Sequence, residues 1–172
     1  NLTNSATGTV AVTLDDDGLG TAVDSTITNS AASGTFTVNN GTFADGDTIN
    51  LAGTGAITVN DLVADLNASS STGAITVNAV DDVSITTGSA ATTISETTGK
   101  TALVNAEALA DGTLLTTSGA GSFTISNFLG NLTNSATGTV AVTLDDDGLG
   151  TAVDSTITNS AASGTFTVNN GT

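Results

Sequence analysis

The chain predicts an all-β fold, a parallel β-solenoid, and three observations carry that expectation. The last 42 residues repeat the first 42 without a substitution: Asn1–Thr42 and Asn131–Thr172 are both NLTNSATGTVAVTLDDDGLGTAVDSTITNSAASGTFTVNNGT, a period of 130 residues. Short segments alternate Thr or Ser with a bulky apolar residue, the signature of a strand with one buried face. A finer rhythm runs inside the period: TGAITVN occurs at Thr54–Asn60 and again at Thr72–Asn78, 18 residues on, and Ile75, Ile94 and Leu114 follow at 19 and 20. Coils of about 18–22 residues, six or seven to a period, place equivalent apolar residues above one another.

The strands are expected, in order, at Thr9–Leu14, Ser25–Thr28, Gly34–Val38, Asp47–Leu51, Gly55–Val59, Gly73–Val77, Val83–Thr86, Thr92–Ser95, Thr113–Thr116 and Ser122–Ser126. Alternation assigns Val10, Val12, Leu14, Ile27, Phe36, Val38, Ile49, Leu51, Ile57, Val59, Ile75, Val77, Ile85, Ile94, Phe123 and Ile125 to the interior. Thr, Val and Ile suit strands because a branched Cβ fits a pleated surface. Gly, Asn, Asp and Ser supply the turns. Two segments depart from the pattern. Residues 60–67 (NDLVADLN) and 101–111 (TALVNAEALAD) are rich in helix formers and read as short helices. Stacked strands lie about 4.8 Å apart, so one period is roughly 29–34 Å long. The expected handedness is right-handed.

Residues 1–130 form one full unit and 131–172 the start of an identical second one, continuous and without a linker. A string of tandem Ig-like β-sandwiches, one per period, is the competing architecture; a domain of about 130 residues is a normal size.

The alphabet is narrow: Cys, His, Met, Pro, Trp, Tyr, Arg and Gln are absent. Seventeen carboxylates face one cation, Lys100, for a net charge of −16. Such a surface repels nucleic acid, whose phosphates need Lys and Arg. No apolar run approaches the ~20 residues that span a bilayer. Without His or a thiol, the usual general base and nucleophile are missing, and an enzyme is not expected.

The acidic clusters are the candidate metal ligands. Asp15, Asp16 and Asp17 precede Gly18, and recur as Asp145, Asp146 and Asp147 before Gly148. Asp45 and Asp47 flank a Gly turn, and Asp81 and Asp82 form a further pair. Carboxylates around a turn can hold Ca²⁺ weakly, although the EF-hand spacing is absent and neighbouring Asp side chains on a strand diverge. A plain solvated turn is the simpler reading of each. A second candidate is hydroxyl triplets, Thr26/Thr28, Thr35/Thr37, Ser84/Thr86 and Ser122/Thr124, which would form an array if they stacked; their spacing is uneven, and Thr is common on any strand.

The run STGAITVNAVDDVSITTGSAATTIS at Ser71–Ser95 resembles the Thr/Gly/Asn/Ala-rich repeats of very large bacterial surface proteins: S-layer proteins, secreted adhesins and giant β-strand-repeat proteins. Gly34–Asn78 is similar, more locally, to the variable part of bacterial flagellins. The resemblance implies β-solenoids or strings of β domains, display outside the cell, and in many members calcium. The calcium-binding G-G-x-G-x-D repeat of that class is missing here.

The expected function is therefore a structural repeat of an extracellular bacterial surface protein, a stiff fibre, coat element or stalk. An adhesive module is the alternative, and binding of ice or a mineral by Thr arrays a more distant one. The expected partners are the flanking repeats of the same chain, with lateral or end-to-end self-association and no membrane insertion.

Overall fold

A computed structural model describes residues 1–16, 22–44, 46–145 and 155–171. Among them run seventeen strands. The first eight are β1 (Leu2–Asn4), β2 (Val10–Thr13), β3 (Asp24–Asn29), β4 (Phe36–Asn39), β5 (Thr48–Gly53), β6 (Ile57–Leu62), β7 (Asp65–Ser71) and β8 (Ile75–Ala79). Then come β9 (Val83–Thr86), β10 (Thr92–Glu96), β11 (Thr101–Asn105), β12 (Leu114–Gly119), β13 (Ser122–Phe128), β14 (Asn131–Asn134), β15 (Val140–Leu144), β16 (Ile157–Asn159) and β17 (Phe166–Asn169). Odd strands build one nine-stranded sheet and even strands one eight-stranded sheet, each in chain order. Every pairing among them is parallel. The chain is a two-sheet β-solenoid: each coil lays one strand in each sheet. The antiparallel Ig-like sandwich is not what forms.

The interior is the space between the sheets. Ile57 and Val59 stack on Ile75 and Val77, which stack in turn on Thr92 and Ile94, and all but the threonine are apolar core. Each larger apolar side chain buried in this way contributes about 1.5–3 kcal/mol. The inward residues read from alternation are buried, apart from Val10 and Val12, which lie partly covered at the first coil.

Coil length varies more than the 18–22 expected. Thr92 lies beside Ile75, 17 positions away, and Val10 lies beside Phe36, 26 positions away. The longest steps span the acidic segment that begins at Asp15, or its copy that begins at Asp145. Coil size is set by the corners, while the strands keep the ladder.

No helix forms at 60–67 or 101–111. Leu62, Ala64, Leu66 and Ala68 are all buried at every second position, so this segment is a strand that turns a corner. Asp61 takes φ 53° at the bulge between Val59 and Leu62, a left-handed conformation that Asp and Asn tolerate best. Buried Asn40 then fixes the corner from the coil below: its Oδ1 accepts the N–H of Val63 and of Ala64, each at 3.2 Å, and its Nδ2 donates to Phe43 O at 2.6 Å. In the second segment Ala102, Val104, Ala106 and Leu109 point inward and Leu103 outward. In both places alanine is a core residue that lets corners pack closely, and period-2 burial overrides helix propensity.

The repeat and the coil do not share a period. β14 has the sequence of β1, thirteen strands later, and each coil takes two strands. One repeat therefore advances six and a half coils. β1 belongs to the nine-stranded sheet and β14 to the eight-stranded one; β2, β3 and β4 change sheets in the same way as β15, β16 and β17. The ladder crosses the junction unbroken, with Leu115 beside Leu132 and Phe123 beside Val140.

Candidate functional site

The outer face of the eight-stranded sheet carries a single file of threonines. In register along it stand Thr37, Thr58, Thr76, Thr93, Thr116, Thr133 and Thr158. Each follows a residue that enters the interior (Phe36, Ile57, Ile75, Thr92, Leu115, Leu132, Ile157), so pleating turns it outward. Two positions on, Asn39, Asn60, Asn78, Ser95 and Ser118 form a second file. Its amides link into a ladder, Asn78 donating to Asn60 at 3.0 Å and Asn60 to Asn39 at 3.2 Å.

The triplets read from the sequence do not make this array. Thr26/Thr28, Ser84/Thr86 and Ser122/Thr124 lie on the nine-stranded sheet and only Thr35/Thr37 at the other. The opposite face is mixed: Ser84, Leu103, Thr124, Ala141 and Thr167 share one row, with Leu103 53% exposed. The signal for the true file was a Thr directly after an inward residue, once per coil.

Carboxylates are equally sparse on the strands of the two sheets. Among the described residues the threonine sheet carries Asp61, exposed at the bulged end of β6, and Glu96, whose side chain is buried; the nine-stranded sheet carries Asp24 and Asp65. Asp47, Asp65 and Asp82 cap backbone N–H groups of adjacent coils. Asp47 accepts from Val23 and from Ala44, both at 2.8 Å. Asp65 accepts from Ser84 and Asp82 from Thr101, each at 2.8 Å and 19 positions on. Asp15 accepts from the Thr42 hydroxyl at 2.8 Å, and that hydroxyl oxygen accepts the Asp16 N–H at 2.7 Å. The Asp145 N–H donates to Phe128 O at 3.1 Å. Asp17, Asp45, Asp146 and Asp147 lie outside the described residues. Among those described, no three carboxylates converge on one point; the side chains of Asp15, Asp47, Asp81 and Asp82 bond across coils.

Lys100 reaches back one coil to Asp81, and its Nζ lies 3.5 Å from Asp82. The lysine bond, with the Asp82 N–H, holds the Asp81 carboxyl below its ordinary range, and the Asp81 partner raises the lysine. Exposed pairs of this kind add little stability.

Glu96 is the unusual carboxyl. Its Oε1 accepts the Thr97 N–H at 2.8 Å, and its buried Oε2 has no partner. Burial raises its pKa, opposed by the Thr97 bond and helped by the charges of Asp82 and Asp81.

Comparison with protein-family models, curated proteins and solved structures returned no match. The reading of function therefore rests on the geometry: a continuous two-sheet parallel ladder with polar outer rows.

Proposed function

We propose that this chain is a structural repeat of a large extracellular bacterial surface protein, and that its product is length: a stiff rod serving as fibre, coat element or stalk. The observation that carries the reading is the unbroken ladder across the repeat junction, where Leu115 lies beside Leu132 and Phe123 beside Val140. The cell-surface assignment draws its support from the resemblance of the sequence to surface repeat proteins and from the acidic coat.

Small-angle scattering on chains of one, two and three full repeats tests the rod. Its length should grow by about 31 Å per repeat, six and a half rungs of ~4.8 Å, at constant cross-section. Globular beads on flexible joints would overturn the reading. Labelling of intact cells with an antibody to the repeat tests the location, and a signal seen only after lysis would refute it.

A further inference from the structure

We propose that a buried polar ladder at the junction of two repeats is a register lock, which decides the coil of one repeat that receives the first coil of the next. This rests on the rod reading and supplies the specificity that a rod of identical repeats needs. One inner column of the eight-stranded sheet can be followed rung by rung: Val12, Val38, Val59, Val77, Ile94, Thr117, Asn134 and Asn159. It is apolar as far as Ile94 and then turns polar. The change falls at the seam, because Thr117 stands on the last even strand of one repeat and Asn134 on the first strand of the next. Asn4 and Asn29 are the same two asparagines in the first copy. Thr117, Asn134, Asn4 and Asn29 are all buried.

The hydrogen bonds run one way. The Thr117 hydroxyl donates to Asn134 Oδ1 at 2.7 Å, and Asn134 Nδ2 donates to Asn159 Oδ1 at 2.8 Å. In the first copy Asn4 Nδ2 donates to Asn29 Oδ1 at 2.9 Å, and Asn29 Nδ2 carries the ladder on to the Ala56 carbonyl at 2.8 Å. Each asparagine oxygen also accepts the N–H two residues on, from Ala6, Ala31, Ala136 and Ala161. The ladder starts at a hydroxyl and ends at a backbone carbonyl, so it reads only from one repeat forward into the next.

Joining identical repeats is otherwise ambiguous. A repeat array nucleates at many points, so during folding β14 meets the edges of β8 and β10 as well as that of β12. An apolar inner residue would stack on any of them. Asn134 does not: beside β10 it would stand on Ile94 and beside β8 on Val77, and its oxygen would lose the hydroxyl donor in an apolar interior. Thr117, in turn, would keep a buried hydroxyl with no acceptor. A buried polar group satisfied in one register selects that register, as a single asparagine does in a coiled coil.

The test uses the whole chain, which has no cysteine of its own. Thr58→Cys with Thr133→Cys place two spin labels on the outer threonine file, four rungs and about 19 Å apart. Their separation is measured after refolding from urea. With the ladder intact one narrow distance is expected. Thr117→Val with Asn134→Val replaces the seam pair by hydrocarbon; it should melt no lower than the parent, yet show a second distance shorter by one rung, about 5 Å, where β14 has joined β10. Asn134→Val alone strands the Thr117 hydroxyl and should lower the folding equilibrium constant at least tenfold. Thr117→Val alone leaves Asn134 bonded to Ala136 and Asn159 and should show the shorter distance as a minor population. One narrow distance equal to the parent's, in both the double variant and Thr117→Val, overturns the proposal; if the double variant does not fold, Thr117→Val decides alone. Scattering that shows a rod while the distances stay unchanged sinks this inference alone; scattering that shows no rod sinks the function above.

Discussion

Val38 and Val168 are the same residue of the repeat, yet Val38 is fully buried and Val168 is 42% exposed. The difference is the next coil: β4 is flanked by β2 and β6, whereas β17 is the last strand of its sheet. Identical sequence in two environments separates what a residue is from what covers it. Val38→Asp places an unpaired charge in the core and should cost about 3 kcal/mol or more. Val168→Asp should cost less than about 1 kcal/mol. Urea denaturation of both variants checks this; equal losses would mean that coil stacking does not protect Val38.

The other end offers a matching pair. A Cβ on Gly138 would stand 2.2 Å from the Gly121 carbonyl oxygen, whereas one on Gly8, its copy, would meet nothing within 4 Å. The obstacle at Gly138 is backbone, held by the ladder. Gly138→Ala should destabilise by about 1–3 kcal/mol, and Gly8→Ala should stay within about 0.5 kcal/mol of the parent. Thermal melts of the two variants decide.

Glu96 makes stability depend on pH in an uncommon direction. Its folded pKa lies above the ordinary glutamate value because burial disfavours the charge. Between those two values the folded chain holds the proton more tightly than the unfolded one, so stability falls as pH rises through the window and returns as pH drops. Glu96→Gln keeps the shape and removes the charge. It should raise the melting temperature at pH 7 by a few degrees and flatten its pH dependence relative to the parent. A variant that melts lower at pH 7 would mean that the ionised carboxylate is needed.

The strands at Ile57 and Ile75 were legible because alternation with threonine leaves one face apolar whatever surrounds it. Ala64, Ala68, Ala102 and Ala106 were not: alanine favours helices in isolation, and only the closeness of the corners makes it a core residue. The threonine file was hidden for a different reason. Which Thr stands beside which depends on the length of each coil, and coil steps here run from 17 to 26 positions. Thr93 and Thr116 are neighbours 23 positions apart, Thr58 and Thr76 only 18. The bonds of the acidic residues were not legible because their partners are not sequence neighbours: those of Asp65 and Asp82 lie one coil away.

The half-coil offset makes a prediction about any longer array. It follows from an odd number of strands per repeat, which no count of residues reveals, because β1, β7 and β11 are absent from the strands that alternation marks in the sequence. If every repeat carries Thr76→Cys, thiol-reactive gold should decorate both sides of the rod in alternation, with about 31 Å between successive labels along the axis. Labels on one side only would mean that a repeat closes on a whole number of coils. The same array with the label moved to Thr124, on the opposite sheet of the same repeat, should give the mirror pattern. Patches of one chemistry would then face both ways along a single chain, which is the geometry that lets one rod bridge two neighbours.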